Sequence, residues 1–476
     1  MVSLSMNILR TGALSLLCPL SVAFAAPPET DSIPAAPHLE RLTTPDKRTE
    51  PGDKTLHVTN AQLAEQPELA MALLDQAIRE EKWPMVRAIL PVYAASPNPD
   101  ATLIHFAKAG LARSQGNYAE AIEHYRAILS RHPDFAAVRL DLARAMFENR
   151  QFDAADYQFR RVLQSNPPEN IQQVIAQYLE RIQKGSALTG SFSVSYLNDS
   201  NVNNASSGKT IRVGDRLFIR NKDSFPQRGE GFWFNGALQK DVQLFDQHGL
   251  RFLGTVNGKS YWNNHDFDDV TTRAYAGYQW RNFRQQFALL PFYEKRWYGT
   301  EAYSSGPGVR AEYSYLLTPT WQVSQALEYQ KLDYDDEDYR FLRGQNRYSS
   351  TTLSHAFSNR VSGFAGVDLL EQQTSTRSES NHRVGLRSGV QVDMPWQLSF
   401  AATTAIARRN YQADSDIFST RRKDNEQIYN LSLWHRDLYF FGVMPKLNFS
   451  YKRVDSNINF YDYQQRYITL SLDKNF

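Results

Sequence analysis

The sequence predicts two domains: an N-terminal α-helical repeat stack, then an antiparallel transmembrane β-barrel of fourteen strands. Three observations carry this. A 34-residue internal repeat lies in a helix-rich stretch between about residues 60 and 184. From Leu188 onward the helical period gives way to two-residue alternation of apolar and polar side chains, the signature of strands set between two different solvents. A secretory signal opens the chain, so the strands are made for a compartment beyond the inner membrane.

The signal occupies residues 1–25. Arg10 supplies its positive charge, residues 12–24 are mostly apolar, and Ala23-Phe24-Ala25 is a small-x-small cleavage site. The chain's one cysteine, Cys18, lies inside it, so the mature chain is expected to hold no thiol and no disulfide. Residues 26–58 are rich in Pro, Thr and charge without periodicity and read as a flexible leader.

The helical domain is expected over 59–186. Gly116-Asn117-Tyr118, Ala121, Tyr125, Ile128 and Pro133 recur as Arg150-Gln151-Phe152, Ala155, Phe159, Val162 and Pro167. A 34-residue period with small, aromatic and proline positions in this order is the tetratricopeptide pattern. The alanine lets two helices approach, the aromatic fills the space beneath, and the proline ends the second helix. An earlier copy, with helices near 67–80 and 84–95, is degenerate: Arg87 stands where the alanine belongs. After Pro167-Pro168, Ile171, Val174, Ile175, Tyr178, Leu179 and Ile182 form one helical stripe that closes the stack. Such stacks present a concave groove. Phe106, Arg113, Arg144 and Glu148 are the candidate ligand contacts on it.

The barrel is expected over 187–476, with strands near 190–197, 231–242, 250–260, 270–280, 286–297, 308–317, 321–331, 343–354, 361–371, 382–392, 397–409, 426–436, 443–454 and 466–476. Val309, Ala311, Tyr313 and Tyr315 oppose Arg310, Glu312 and Ser314; Val384, Leu386, Val390 and Val392 oppose Arg383, Arg387 and Gln391. Short connections, among them Arg281-Asn282-Phe283 and Thr318-Pro319-Thr320, alternate with long polar loops, of which 198–229 is the longest. Outer-membrane barrels place short turns in the periplasm and long loops outside. An even strand count puts both barrel ends in the periplasm, where a preceding helical domain would also sit.

Composition excludes other classes. Net charge is +2 over 476 residues, which gives no field for nucleic acid. Mean hydropathy is −0.53, too polar for a helical membrane protein but natural for a barrel whose every second residue faces the lumen. The histidines show no metal spacing, and no nucleophile–base–acid set supports an enzyme or a cofactor. Ser354-His355 reads as a lumen pair. Asp199, Asn201 and Asn203 mimic the start of a calcium loop, but Asn204 and Thr210 stand where that loop needs Gly and Glu. The run Asp333, Asp335, Asp336, Glu337, Asp338 reads as a solvated loop. Arg310, Glu312, Arg383 and Arg387 fall in the lumen-facing phase, as a salt-bridge network or as the wall of a wet path. The first strand must close against the last. Val194 and a facing residue such as Leu470 mark that seam, and Lys474 puts a charge in its lipid-facing phase.

With its helical repeats and barrel together, the chain resembles the surface lipoprotein assembly modulators (Slam proteins) of Gram-negative outer membranes. The distinctive matches are Ala143-Arg144-Ala145-Met146-Phe147-Glu148-Asn149-Arg150-Gln151, Leu431-Ser432-Leu433-Trp434-His435-Arg436, the following Gly442 and Pro445, and the terminal Lys474-Asn475-Phe476. The resemblance implies delivery of client proteins, either surface lipoproteins or secreted haemophore-like proteins, across the outer membrane. It also implies partners: the outer-membrane assembly machinery, periplasmic chaperones and outer-membrane lipid. A polysaccharide exporter, which also joins such repeats to a barrel, is the alternative, although exporters carry many more repeats.

Overall fold

The computed structural model describes residues 59–185, 187–213, 216–221 and 224–475. The expected signal peptide and leader, Cys18 and Phe476 lie outside the described residues.

Eight helices come first: α1 Asn60–Glu65, α2 Pro67–Arg79, α3 Trp83–Ala94, α4 Ala101–Ser114, α5 Tyr118–Arg131, α6 Ala136–Glu148, α7 Phe152–Leu163 and α8 Glu169–Gly185. Their starts are set by local chemistry. Thr59 and Gln62 form a capping box at α1, Asp100 accepts from the Thr102 N–H at α4, and prolines fill the first turns of α2 and α3. The repeat positions carry the packing. Ala121, Ala155 and Phe159 are fully buried, with Tyr125, Ile128 and Val162 nearly so. Burying one such large side chain is worth about 1.5–3 kcal/mol. In the degenerate copy the buried face of α3 is Val86, Ile89, Leu90 and Tyr93, so Arg87 turns to solvent. The close contact moves to Gly110 of α4, where a Cβ would stand 2.7 Å from the Trp83 ring. Two apolar clusters result, and Phe106 packs against both.

The barrel closes from fourteen antiparallel strands: β1 Thr189–Asp199, β4 Gly229–Phe245, β5 His248–Tyr261, β6 Asp269–Arg281, β7 Gln285–Tyr298, β8 Glu301–Thr318, β9 Trp321–Tyr334, β10 Gly344–Ala356, β11 Val361–Thr374, β12 Asn381–Asp393, β13 Leu398–Asp414, β14 Arg421–His435, β15 Val443–Ser456 and β16 Tyr463–Asn475. All fourteen expected strands are present. Alternation sorts their side chains. Leu327, Leu353, Leu369, Val384, Leu386, Ile406, Ile468 and Leu470 are exposed on the outer face, and Arg383, Arg409 and Glu426 are buried on the inner. An exposed apolar belt is unstable in water and stable in lipid.

Three expectations are corrected. The loop rule holds for the 200–228 segment but fails between β7 and β8, which Gly299-Thr300 alone connects. There β8 runs back to Glu301 through polar and small residues, where ladder hydrogen bonds persist without apolar alternation. The long loop holds a short hairpin, β2 Thr210–Val213 with β3 Arg216–Ile219. Ser354 and His355 are not a lumen pair, since strand neighbours face opposite sides. The His355 ring stacks on Trp321 at 4.0 Å, and its Nδ1 lies 3.1 Å from the Thr320 carbonyl, at the aromatic rim of the short-turn end.

The other two loop motifs also find their roles. Asp199 accepts from the Asn201 N–H (2.9 Å), Asn201 Nδ2 donates to the Ala205 carbonyl (2.9 Å), and Asn203 Nδ2 donates to that of Phe225 (2.9 Å), so all three fold the long loop onto the barrel mouth. In the acidic run, Asp335 pairs with Lys295 (2.9 Å), Asp333 with Arg343 (2.6 Å) and Glu337 with Arg340.

Candidate functional site

Four features bear on function: the candidate groove residues on the helical stack, a joint between the stack and the barrel's short turns, a charged lumen wall and a seam. The candidate groove residues lie on α4 and α6, the first helices of successive repeats, with α5 packed against both. Arg113 projects from α4 and donates to Glu148 of α6 through Nε (2.8 Å) and a terminal nitrogen (2.6 Å), a bidentate pair. Arg144, one turn before Glu148, pairs with Asp141 at 3.3 Å. Burial raises the Asp141 carboxyl above its ordinary range, against the pull of Arg144 and Arg113. Of the four groove candidates, Arg113 and Glu148 hold each other, Arg144 holds Asp141, and Phe106 lies edge-on to Tyr125 (5.9 Å) within the core. Arg144 Nε and the Tyr178 hydroxyl are buried with no hydrogen-bond partner among the described residues.

The joint uses the same turn in both repeats. Gly116 and Arg150, 34 residues apart, both take left-handed backbone, with φ of 72° and 63°. The first turn meets the β6–β7 connection. Tyr118 lies edge-on to Phe283 with centroids 5.0 Å apart, and Arg284 donates to the Gln115 carbonyl at 3.2 Å. The second turn meets the neighbouring β4–β5 connection. Gln243 Nε2 donates to the Arg150 carbonyl (3.4 Å), and Phe152 lies under both Arg150 and Arg281. Two successive repeats thus grip two successive short turns. The sequence marks Gly116, Tyr118, Arg150 and Phe152 as repeat positions and Arg281 and Phe283 as a short turn, but not as a joint. Their signal is that an aromatic, Tyr118 and then Phe152, recurs directly after each turn.

From Arg281 a chain of ion pairs climbs the lumen wall. Arg281 and Arg251 hold Asp241 (3.2 Å each), and Arg251 reaches Glu312 (3.7 Å). Arg310 bonds Glu312 (2.6 Å) and Glu328 (3.1 Å), and Arg273 bonds Glu328 (3.1 Å) and Glu294. Arg310 and Glu312 therefore belong to one network. Arg383 and Arg387 do not join it. Arg383 shares Glu426 with Arg409 (2.8 and 2.9 Å), and Arg387 holds Asp368 (3.0 Å).

At the seam, β1 and β16 pair over Ser191↔Asn475 to Ser195↔Ser471. Val194 stands opposite Leu472, and Leu470 lies two residues further along; the sequence leaves this register open. Register here follows from barrel closure, and the local pattern of neither strand contains it.

A family model described as "Surface lipoprotein assembly modifier" matches residues 189–476, and one described as its N-terminal TPR repeats matches residues 56–159. The chain is 30% identical over 474 residues to a "Surface lipoprotein assembly modifier" of Pasteurella multocida, covering 94% of this chain and 92% of the relative. It is 29% identical over 474 residues to "Surface lipoprotein assembly modifier 1" of Haemophilus influenzae, covering 97% of each. A "Hemophilin secretion modulator" of Acinetobacter baumannii is 25% identical over 430 residues, covering 86% of each.

Proposed function

The chain belongs to the surface lipoprotein assembly modifier family, and from that premise we propose that it delivers client proteins, surface lipoproteins or secreted haem-binding proteins, across the outer membrane in which its barrel sits. The short-turn end faces the periplasm and carries the helical domain there. The observation that carries this is the joint. A repeat stack gripped at two barrel turns sets its groove beside the mouth, so a client held by the stack is already at the entrance.

The protein acts in this reading as a translocon, not as an enzyme. No nucleotide-binding motif stands in the sequence, so client folding outside, or periplasmic chaperones, supplies direction. The general assembly machinery inserts the barrel into outer-membrane lipid. The test is to compare surface and secreted proteins of cells with and without the chain. Lipoproteins or haem-binding proteins should leave the surface or medium when the chain is absent, with other barrels unchanged. An unchanged protein set with loss of a surface polysaccharide would establish the exporter alternative instead.

A further inference from the structure

The barrel wall is not uniform. Among the described residues the β1–β16 ladder holds five residue pairs. The next shortest seam, β14–β15, holds ten, from Asp424↔Ser456 to Leu433↔Leu447. The short ladder is not the result of short strands. β1 continues to Asp199 and pairs along its whole length with β4 on its other side. β16 runs from Tyr463 and pairs from there with β15. The two strands part on the long-loop side of Ser195↔Ser471. By continuation of the register, Tyr196 to Asp199 would face Leu470 to Tyr467, and no ladder joins them. Tyr196, Ile468 and Leu470 are exposed on the outer face, so the parted stretch lies beside lipid-facing surface. Unpaired backbone there has no water to satisfy it.

Side chains hold the parted stretch instead. Gln465 Nε2 donates to the Asn201 carbonyl (2.7 Å), and the Tyr467 hydroxyl donates to Asp199 (3.4 Å). On the paired stretch, Ser193 donates to Asp473 (2.5 Å), which Lys446 also holds (2.9 Å). These are few and polar, and all lie on the lumen side. The lumen route, by contrast, crosses the ion-pair networks of Arg273, Arg310, Arg383 and Arg387, whose side chains are mostly buried against one another. Breaking those would strand charges; parting five backbone pairs does not.

We propose that the client crosses by lateral opening of the β1–β16 seam, which starts at the parted stretch beyond Ser195 and Ser471 and runs toward the short-turn end. This rests on the delivery function proposed above. The segment that moves is β1, the strand into which the helical domain leads: α8 ends at Gly185 and β1 begins at Thr189. A client bound on the stack is therefore one short connection away from the strand that must yield.

The test uses paired cysteines in the full chain, whose natural cysteine lies in the signal. Val194→Cys with Leu472→Cys locks the ladder. Leu386→Cys with Ile406→Cys locks the β12–β13 seam, where these residues are partners. Tyr196→Cys with Leu470→Cys probes the parted stretch. The probe for delivery is the set of proteins that reach the surface or medium only when the chain is expressed. Oxidation should link the first two pairs readily and the third at least about tenfold more slowly. The first lock should cut delivery about tenfold and reduction should restore it; the control lock should leave delivery intact. Delivery unchanged under a complete first lock overturns the proposal and leaves the lumen as the route. Loss under both locks overturns it too, because then no single seam is the gate. Failure of the first pair to link refutes the register itself. If the reduced first variant delivers nothing beyond cells lacking the chain, while wild type does, the seam residues act before opening and the proposal falls. If wild type delivers nothing, the delivery function itself falls.

Discussion

Removing Arg113 separates the two roles open to the groove. The Arg113 and Glu148 side chains are 23% and 16% exposed, so the pair is neither dry nor freely solvated. Breaking a fully buried pair from one side costs about 3–5 kcal/mol, whereas an exposed pair is worth about 0–1 kcal/mol. Arg113→Ala leaves Glu148 half-buried near Asp141, whose carboxyl burial already disfavours as an anion. We expect a loss of about 2 kcal/mol, roughly thirtyfold in the folding equilibrium of the helical domain. Arg113→Met with Glu148→Leu replaces both charges with apolar groups of similar volume and should recover most of that loss, to within about 1 kcal/mol. The assay is urea unfolding of the full chain in detergent, followed by the far-ultraviolet helix signal. A loss below about 0.5 kcal/mol for Arg113→Ala, the scale of an ordinary surface change, would refute the brace. Delivery then assigns the role. If the double variant folds and delivers, the pair braces α4 to α6. If it folds and fails to deliver, the two charges contact the client.

Ala121→Leu, at a fully buried contact, should overpack the α4–α5 pair by about 1–3 kcal/mol and lower the urea midpoint of the helix signal, with the barrel still inserted; a barrel missing from the membrane would show that the two parts do not fold independently. Whole-cell labelling with an impermeant thiol reagent should mark Ile219→Cys, 88% exposed on the long loop, and spare Ser114→Cys on α4; Ser206, although on the same loop, is buried and would give a false negative. Labelling of Ser114→Cys alone would invert the topology. Burial first, then His124 with Nδ1 3.2 Å away and the charges of Lys108 and Arg131, hold the His105 pKa below its ordinary 6.5. The unfolded chain therefore takes the proton first as pH falls. Helical stability should drop as pH falls through and below the ordinary imidazole value of 6.5, and His105→Asn should flatten that slope; an equal slope in the variant would refute the assignment.

Much of the fold was legible because its signals are local. A strand between lipid and lumen must alternate residue by residue, so Val384 and Leu386 against Arg383 and Arg387 announce it without any partner. A 34-residue repeat shows itself through Ala121 and Ala155, because only a small residue permits that contact. What escaped was set by closure and stacking. Nothing in β1 or β16 says that Val194 meets Leu472 rather than Leu470; that follows from the shear of the whole barrel. Arg113 and Glu148 were legible as groove residues but not as partners, although opposite charges one repeat plus one residue apart fall side by side on stacked helices. The start of β8 at Glu301 is hidden in the sequence because its polar and small residues lose alternation while they keep their ladder.

The grip of the helical domain also explains why the barrel can have one weak seam without falling open. The stack holds the β4–β5 and β6–β7 turns, and β4 is the full-length partner of β1. On this side of β1 the wall is braced from below. On the other side β1 meets β16 through the short ladder and a few polar side-chain bonds, Ser193 to Asp473, Tyr467 to Asp199 and Gln465 to Asn201. Strain passed down α8 into Thr189 then meets unequal resistance. The β1–β4 ladder carries eleven pairs and the β1–β16 ladder five. If each cross-strand pair is worth about 0.2–1 kcal/mol, the six-pair difference favours parting at β16 by about 1–6 kcal/mol. Even the low end selects the same seam several-fold. A helical domain bound to the far side of the barrel would have no such bias, and its place beside β4 is what makes β1 the strand that moves.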